Sequence, residues 1–333
     1  MLPVRTGGIF YIEDKFDWYK IALMSSKKHF LERLPVVYAG ALICCFLWGS
    51  AFPFNKLGYI KFQIDSDDIG TLLLFAGIRF FIAGILAILI GSCIQKRFIA
   101  PTVKAAPKVA LLSLFQTIGQ YFFFYIGLAN TTGARAAIVE GLNVFVAIII
   151  AALIFRQEKF TLNKAVGSLI GFVGIFIMNS TGEGFIDSRY FMGDLFIFLS
   201  TICYAFSSVC LKKFAPSEDT TMLSGYQFLF GGAVLSLTGL LLGGRLAVVT
   251  TSGIAILIYL SFVSAAAYTL WGMLLSRNPV SRLSSIGFMN PVFGFILSLF
   301  LLNEGSSVGL NAIIALLVIC IGIYTVNKTK EAN

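Results

Sequence analysis

Ten separate stretches of mostly apolar residues run along this chain, at 36–56, 69–92, 107–129, 134–155, 163–180, 191–211, 222–243, 252–275, 283–302 and 308–326. Each is close to the roughly 20 residues that a helix needs to cross the hydrocarbon core of a bilayer. Lipid offers no hydrogen bonds, so a spanning backbone has to satisfy its polar groups internally, as a helix does. The pattern predicts an all-α integral membrane protein with ten transmembrane helices. The last two runs are closely spaced, and Asn303, Glu304 and Gly305 supply the turn between them.

Composition agrees. Of 333 residues, 58% are hydrophobic and 12% charged, about half the charged fraction of a soluble domain. Several function classes fall away. The six cysteines lie in or beside apolar runs without CxxC or metal-ligand spacing, so they read as small buried hydrophobes. The single histidine, His29, precedes the first run. No Ser-His or Cys-His pair and no H-E-x-x-H site can therefore form within the bilayer. Paired catalytic aspartates and nucleotide-binding loops are absent too, so neither an enzyme nor a cofactor or metal is indicated.

The net charge of +9 sits largely in short loops between the runs, where it orients the chain against a membrane rather than binding nucleic acid. With the N-terminus inside, the inner segments from Met24 onward hold Lys27, Lys28, Arg33, Lys96, Arg97, Lys104, Lys108, Arg156, Lys159, Lys164, Lys212, Lys213, Arg277, Arg282, Lys328 and Lys330. The outer loops hold only Lys56, Lys61, Arg135, Arg189 and Arg245. The excess predicts both termini cytoplasmic, in a multi-pass protein of a cell inner membrane. Residues 1–34 form a cytoplasmic lead-in, of which 1–23 read as a start-site artefact upstream of Met24, and residues 328–333 form a cytoplasmic tail.

The chain also repeats itself. Gly77, Gly84 and Gly91 recur as Gly225, Gly232 and Gly239, 148 residues on. Tyr121, Phe124, Arg135 and Asn143 match Tyr268, Trp271, Arg282 and Asn290 at 147; Glu158 matches Glu304 at 146. Trp48 and Lys56 match Tyr204 and Lys212 at 156, because the loop after the first span is longer than its counterpart. Two five-helix units follow, 35–182 and 190–327. Five is odd, so the second unit inserts upside down relative to the first. Inverted repeats are the usual architecture of secondary transporters. The seven-residue glycine spacing sets small residues on one helix face for close packing.

At these positions the sequence resembles a known family. Leu47-Trp48-Gly49-Ser50-Ala51-Phe52-Pro53, Ser264 with Ala267-Tyr268-Thr269-Leu270-Trp271, Asn290-Pro291-Val292-Phe293 and Leu302-Asn303-Glu304 resemble EamA-type transporters of the drug/metabolite transporter superfamily, as do Arg79-Phe80 and Gly193-Asp194. The resemblance covers roughly residues 35–327 and implies ten helices in two inverted repeats. It also implies transport of amino acids, other metabolites or drugs, often as export. Two features depart from the family pattern: Asn143-Val144-Phe145 lacks the usual proline of the fourth span, and Glu140 precedes it.

Ionisable groups within spans are costly and mark functional candidates. Arg79 in the second span and Glu140 in the fourth are the two that stand out. A static ion pair would account for both. Alternatively Arg79 holds a substrate carboxylate and Glu140 exchanges a proton as substrate leaves. Gln116 and Gln120 lie one turn apart, beside Tyr121, Phe124 and Tyr125, with Tyr268 and Trp271 equivalent in the other half. Polar groups amid aromatics describe a small-molecule pocket, although helix contacts and lipid-facing rings would give the same pattern. Trp48, Asn143, Tyr204 and Asn290 join the substrate-binding set, with Ser207, Ser208, Tyr226 and Gln227 as lesser candidates. Pro53 and Pro291 are candidate flex points. Glu158 and Glu304 read as helix-end contacts, and Asp65, Asp67 and Asp68 as a solvated acidic loop.

The expected activity is secondary transport, most simply export of amino acids or related small metabolites. Vitamins, nucleosides or drugs are the alternative substrates, and a non-transporting multispan protein the alternative class. The partners expected are the small-molecule substrate and the lipid bilayer, for a monomer or a homodimer.

Overall fold

The computed structural model describes residues 30–156, 159–179, 190–275, 277–278, 283, 286–287, 289–304 and 309–327. The lead-in up to residue 29, Glu158, Arg189, Arg282 and the 328–333 tail lie outside them. Seven helices are long and apolar enough to cross a membrane: α1 (Leu34–Phe62), α2 (Ile69–Gln95), α3 (Ala106–Ala129), α4 (Gly133–Ile154), α6 (Phe191–Phe214), α7 (Thr220–Leu241) and α8 (Thr251–Leu275). Three further apolar helices are shorter as described: α5 (Leu162–Asn179), α9 (Met289–Leu301) and α10 (Leu310–Asn327). No strand occurs among the described residues.

Local chemistry sets several helix ends. Asp68 caps α2 by accepting from the Thr71 N–H at 2.9 Å, and Asp219 caps α7 from the Met222 N–H at 2.8 Å. The acidic loop at 65–68 is therefore partly a helix start, since a carboxylate there answers free N–H groups. Thr132 accepts from the Arg135 N–H at the start of α4. Glu304 reaches the same turn from the end of α9, accepting from Gly133 N–H at 2.8 Å and Ala134 N–H at 2.9 Å. That is the helix-end role its position implied.

Packing runs along glycine faces. A Cβ added to Gly84 on α2 would lie 2.5 Å from the Leu229 backbone nitrogen on α7, and one on Gly167 of α5 would lie 2.7 Å from the Gly322 carbonyl of α10. Only glycine lets these backbones approach so closely. The neighbours follow a pattern. α2 packs on α7, and α5 on α10; α1 packs on α8 and α9, while α6 packs on α3 and α4. Apolar side chains such as Leu89, Phe176, Phe300 and Leu317 are left on the outside of the bundle, as suits a surface solvated by acyl chains.

Two helices are irregular where the candidate residues lie. α3 carries a π-helical segment, Ser113–Gly119, and α4 ends in another, Ile150–Ile154. Such wide turns shift a helix face relative to its regular phase and often occur at functional sites.

Candidate functional site

α4 breaks in its middle. Its first piece ends at Glu140 and its second begins at Asn143. The Gly141 N–H reaches back to Ala137 and Ile138, Leu142 reaches Val139, and regular bonding resumes at Phe145 and Val146, which both reach Leu142. Among the described residues, no backbone N–H answers the carbonyl of Gly141. Glu140 itself is 7% exposed. Its carboxyl lies 3.3 Å from the Ser200 hydroxyl of α6, which also donates to the Ile197 carbonyl at 2.7 Å, and the Asn143 side chain is near it across the break. It has no ion-pair partner among the described residues.

Aromatic rings from both halves gather beside this break. Trp48 of α1 meets Tyr268 and Trp271 of α8 edge-on, with centroids 5.5 and 5.2 Å apart. The hydroxyls of Tyr121 and Tyr268 are 3.5 Å apart, and the Gln116 side chain lies near Tyr268. Tyr204 lies within electrostatic reach of Tyr268 and Glu140. Trp48, Asn143, Tyr204, Tyr268, Trp271 and Asn290 are all only half-buried, in contrast with the packed side chains around them. Two polar atoms in the group are buried without a partner, Trp48 Nε1 and Asn290 Oδ1. A buried polar group left unpaired is costly, and at a binding site a ligand can answer it.

Other expected residues sit elsewhere. Arg79 is 2% exposed and spends its donors on protein. Its Nη1 bonds Tyr125 Oη at 2.7 Å and Asn55 Oδ1 at 3.3 Å, Nη2 bonds Ser264 Oγ at 2.9 Å, and Nε bonds the Leu260 carbonyl at 3.3 Å. The Phe80 ring lies under the guanidinium, 4.7 Å from its carbon. Arg79 and Glu140 therefore do not form an ion pair. Phe124 is buried against Phe52, and Gln120 is buried with its Oε1 unpaired. The Gln227 Oε1 accepts from the Thr117 hydroxyl and its main-chain carbonyl from Ser113, while its Nε2 is buried without a partner among the described residues. Tyr226 packs in a separate apolar cluster with Ile99 and Leu223.

Three groups emerged only in three dimensions. Phe80 and Phe228, which are 148 residues apart, stack at 5.3 Å. Their shared offset with the glycines was a readable signal. Ser200 carries no sequence signal for its contact with Glu140. Asp194 pairs with Arg135 at 2.5 Å, buried, with Thr131 donating to its other oxygen. A cavity of about 300 Å³ lies between the ends of α2, α7 and α8, lined by Gly91, Gln95, Asp219, Thr221, Gly272 and Met273. It adjoins the Trp271 end of the aromatic group.

A family model described as the EamA-like transporter family matches residues 36–180 and again 191–328. The "Uncharacterized transporter YvbV" of Bacillus subtilis is 26% identical, with 88% of this chain and 93% of the relative covered. "Protein PecM" of Dickeya dadantii is 26% identical over 65% of this chain and 74% of its own length. An "Uncharacterized inner membrane transporter YedA" of Escherichia coli is 25% identical over 80% and 83%. A solved crystal structure shares the fold at a TM-score of 0.61 and 19% identity, covering 86% of this chain and 96% of that one.

Proposed function

Since this chain belongs to the EamA-like transporter family, we propose that it is a secondary transporter that exports amino acids or related small metabolites by alternating access. The observation that carries this reading is the half-buried group of aromatic and polar side chains at the break in α4, drawn from both halves of the chain. Broken helices with binding groups at the break are a recurrent feature of transporters.

The reading includes ten transmembrane helices arranged as two inverted repeats. Its support is the exchange of neighbours. Numbering α1–α5 onto α6–α10, the partners of α1 map onto those of α6, while α2 and α5 each pack on their own counterparts. Equivalent residues also touch each other, Phe80 on Phe228 and Tyr121 on Tyr268, as they do close to a two-fold axis. The family model matches once in each half. Halves related in this way can exchange conformations and open a shared site to either side in turn.

In this reading both termini are cytoplasmic in an inner membrane, and the cavity beside Gln95 and Asp219 is the way in from the cytoplasm. Glu140 carries the proton that couples flux to a gradient. Its burial without a cation partner supports that role, because an intramembrane carboxyl with no structural ion pair calls for a functional account. Substrate binding falls to Trp48, Gln116, Tyr121, Asn143, Tyr204, Tyr268, Trp271 and Asn290. Arg79, Gln120 and Phe124 stand behind them.

Counterflow in proteoliposomes tests the proposal, using a panel of labelled amino acids with wild type beside Glu140→Gln. Saturable exchange is expected in wild type. The variant should keep exchange and lose pH-driven flux. Loss of both would leave the coupling role of Glu140 unsupported, and no exchange with any metabolite tried would overturn the transport reading.

A further inference from the structure

We propose that the break in α4 is a subsite for an organic ammonium group, and that the preferred substrate is an aromatic amine without a carboxylate. This narrows the substrate of the transport reading from amino acids to related amines, and rests on that reading only for how the ligand arrives. The first argument is charge. Glu140 is a buried acid beside two neutral polar side chains, Ser200 and Asn143, with no cation partner among the described residues. A carboxylate oxygen pair can accept about four hydrogen bonds, so room for a donor-rich cation remains. The unanswered carbonyl of Gly141 adds a further acceptor at the same point. It lies at the end of a helix piece, where the backbone dipole also favours positive charge.

The second argument is the neighbouring surface. Tyr204 and Tyr268 are half-buried rings within electrostatic reach of the acid, and the half-buried Trp48 packs on Tyr268 and on Trp271. The electron-rich faces of such rings attract a cation and stack on a flat apolar body. The third is the lack of an anion site. Arg79 is buried within electrostatic reach of Tyr268, and its four hydrogen bonds go to protein acceptors. The other buried arginine, Arg135, is committed to Asp194. A substrate carboxylate brought beside Glu140 would meet like charge and find no free cation among the described residues, which is costly in a desolvated site.

Three probes with one ring decide it: phenethylamine, phenylalanine and 3-phenylpropionate. They carry an ammonium alone, both charges, and a carboxylate alone. Thermal stabilisation of the purified full-length protein is measured beside inhibition of counterflow. The expected order is amine, then amino acid, then acid, with the amine at least about tenfold tighter than the acid, a difference of about 1.4 kcal/mol. Glu140→Gln should erase that order. An acid that binds as well as the amine would overturn the proposal, and so would no stabilisation by any probe, or an order unchanged in Glu140→Gln. The wild-type order is decisive even if the variant fails to fold. Stabilisation by the amine without any flux would overturn the transport reading and leave this one standing.

Discussion

At Trp48 the indole N–H is buried without an acceptor, while the ring itself packs edge-on against Tyr268 and Trp271. The two parts of the side chain thus do different things: the ring builds the aromatic group, and the N–H serves nothing in the folded protein. Trp48→Phe keeps most of the ring and removes only the donor. Folded yield and melting temperature should stay close to wild type, because no internal hydrogen bond is lost. Substrate affinity should fall several-fold, in line with the roughly 1 kcal/mol of a typical hydrogen bond. Dissociation constants measured beside melting curves check this; a drop in melting temperature without a change in affinity would make Trp48 a packing residue. Glu304 shows the opposite case. It lies near the start of α4, and both its oxygens are engaged by backbone N–H groups, so its charge is used locally by the helix end.

Among elements, the α2–α7 contact is the most demanding. Gly84 and Gly232 bring the two backbones together where no side chain fits: a Cβ on Gly232 would lie 2.8 Å from the Gly77 carbonyl, and one on Gly84 the same distance from the Gly225 carbonyl. Gly84→Leu should force the helices apart and cost at least about 2 kcal/mol, the scale of overpacking a filled interior. It should appear as lost monodisperse protein in detergent. Gly309→Ala is the matched control, because a Cβ there meets nothing within 4 Å. Equal behaviour of the two variants would show that the close contact is not needed for assembly. The break in α4 is a second element-scale feature. It places Glu140 and Asn143 across an interruption rather than along one regular face, and Gln116 lies within the π-helical turn of α3.

For the whole molecule, the distribution of lysine and arginine predicts an orientation that can be measured directly. In intact cells a membrane-impermeant maleimide should label Lys61→Cys and leave Lys96→Cys unlabelled until the membrane is opened. Cys93 is exposed near Lys96, so both variants are made with Cys93→Ser. The reverse labelling pattern would invert the topology and, with it, the assignment of the 300 Å³ cavity to the cytoplasmic side. A membrane-spanning bundle of this kind is held in place by its apolar exterior, so its orientation rests on charges in loops that fold too little to be read from packing.

The apolar runs by themselves determined the all-helical membrane class, because length and hydropathy answer directly to bilayer thickness. The sevenfold glycine spacing foretold the close helix faces, and the shared offset between Tyr121 and Tyr268 pointed to two residues that meet. Periodicity could not foretell where Arg79 spends its charge. Its partners Asn55, Tyr125, Leu260 and Ser264 come from three other helices, and long-range hydrogen bonds leave no local pattern. Nor could it place Ser200 on Glu140 or Asp194 on Arg135. The break at Gly141 was equally hidden, since glycine is common in membrane helices and a lone one there need not interrupt the backbone. Sequence determined which segments enter the lipid, a matter of each segment's transfer from water. Tertiary structure decided which buried charges are answered by protein and which are left for a ligand, because that depends on neighbours brought together only by packing.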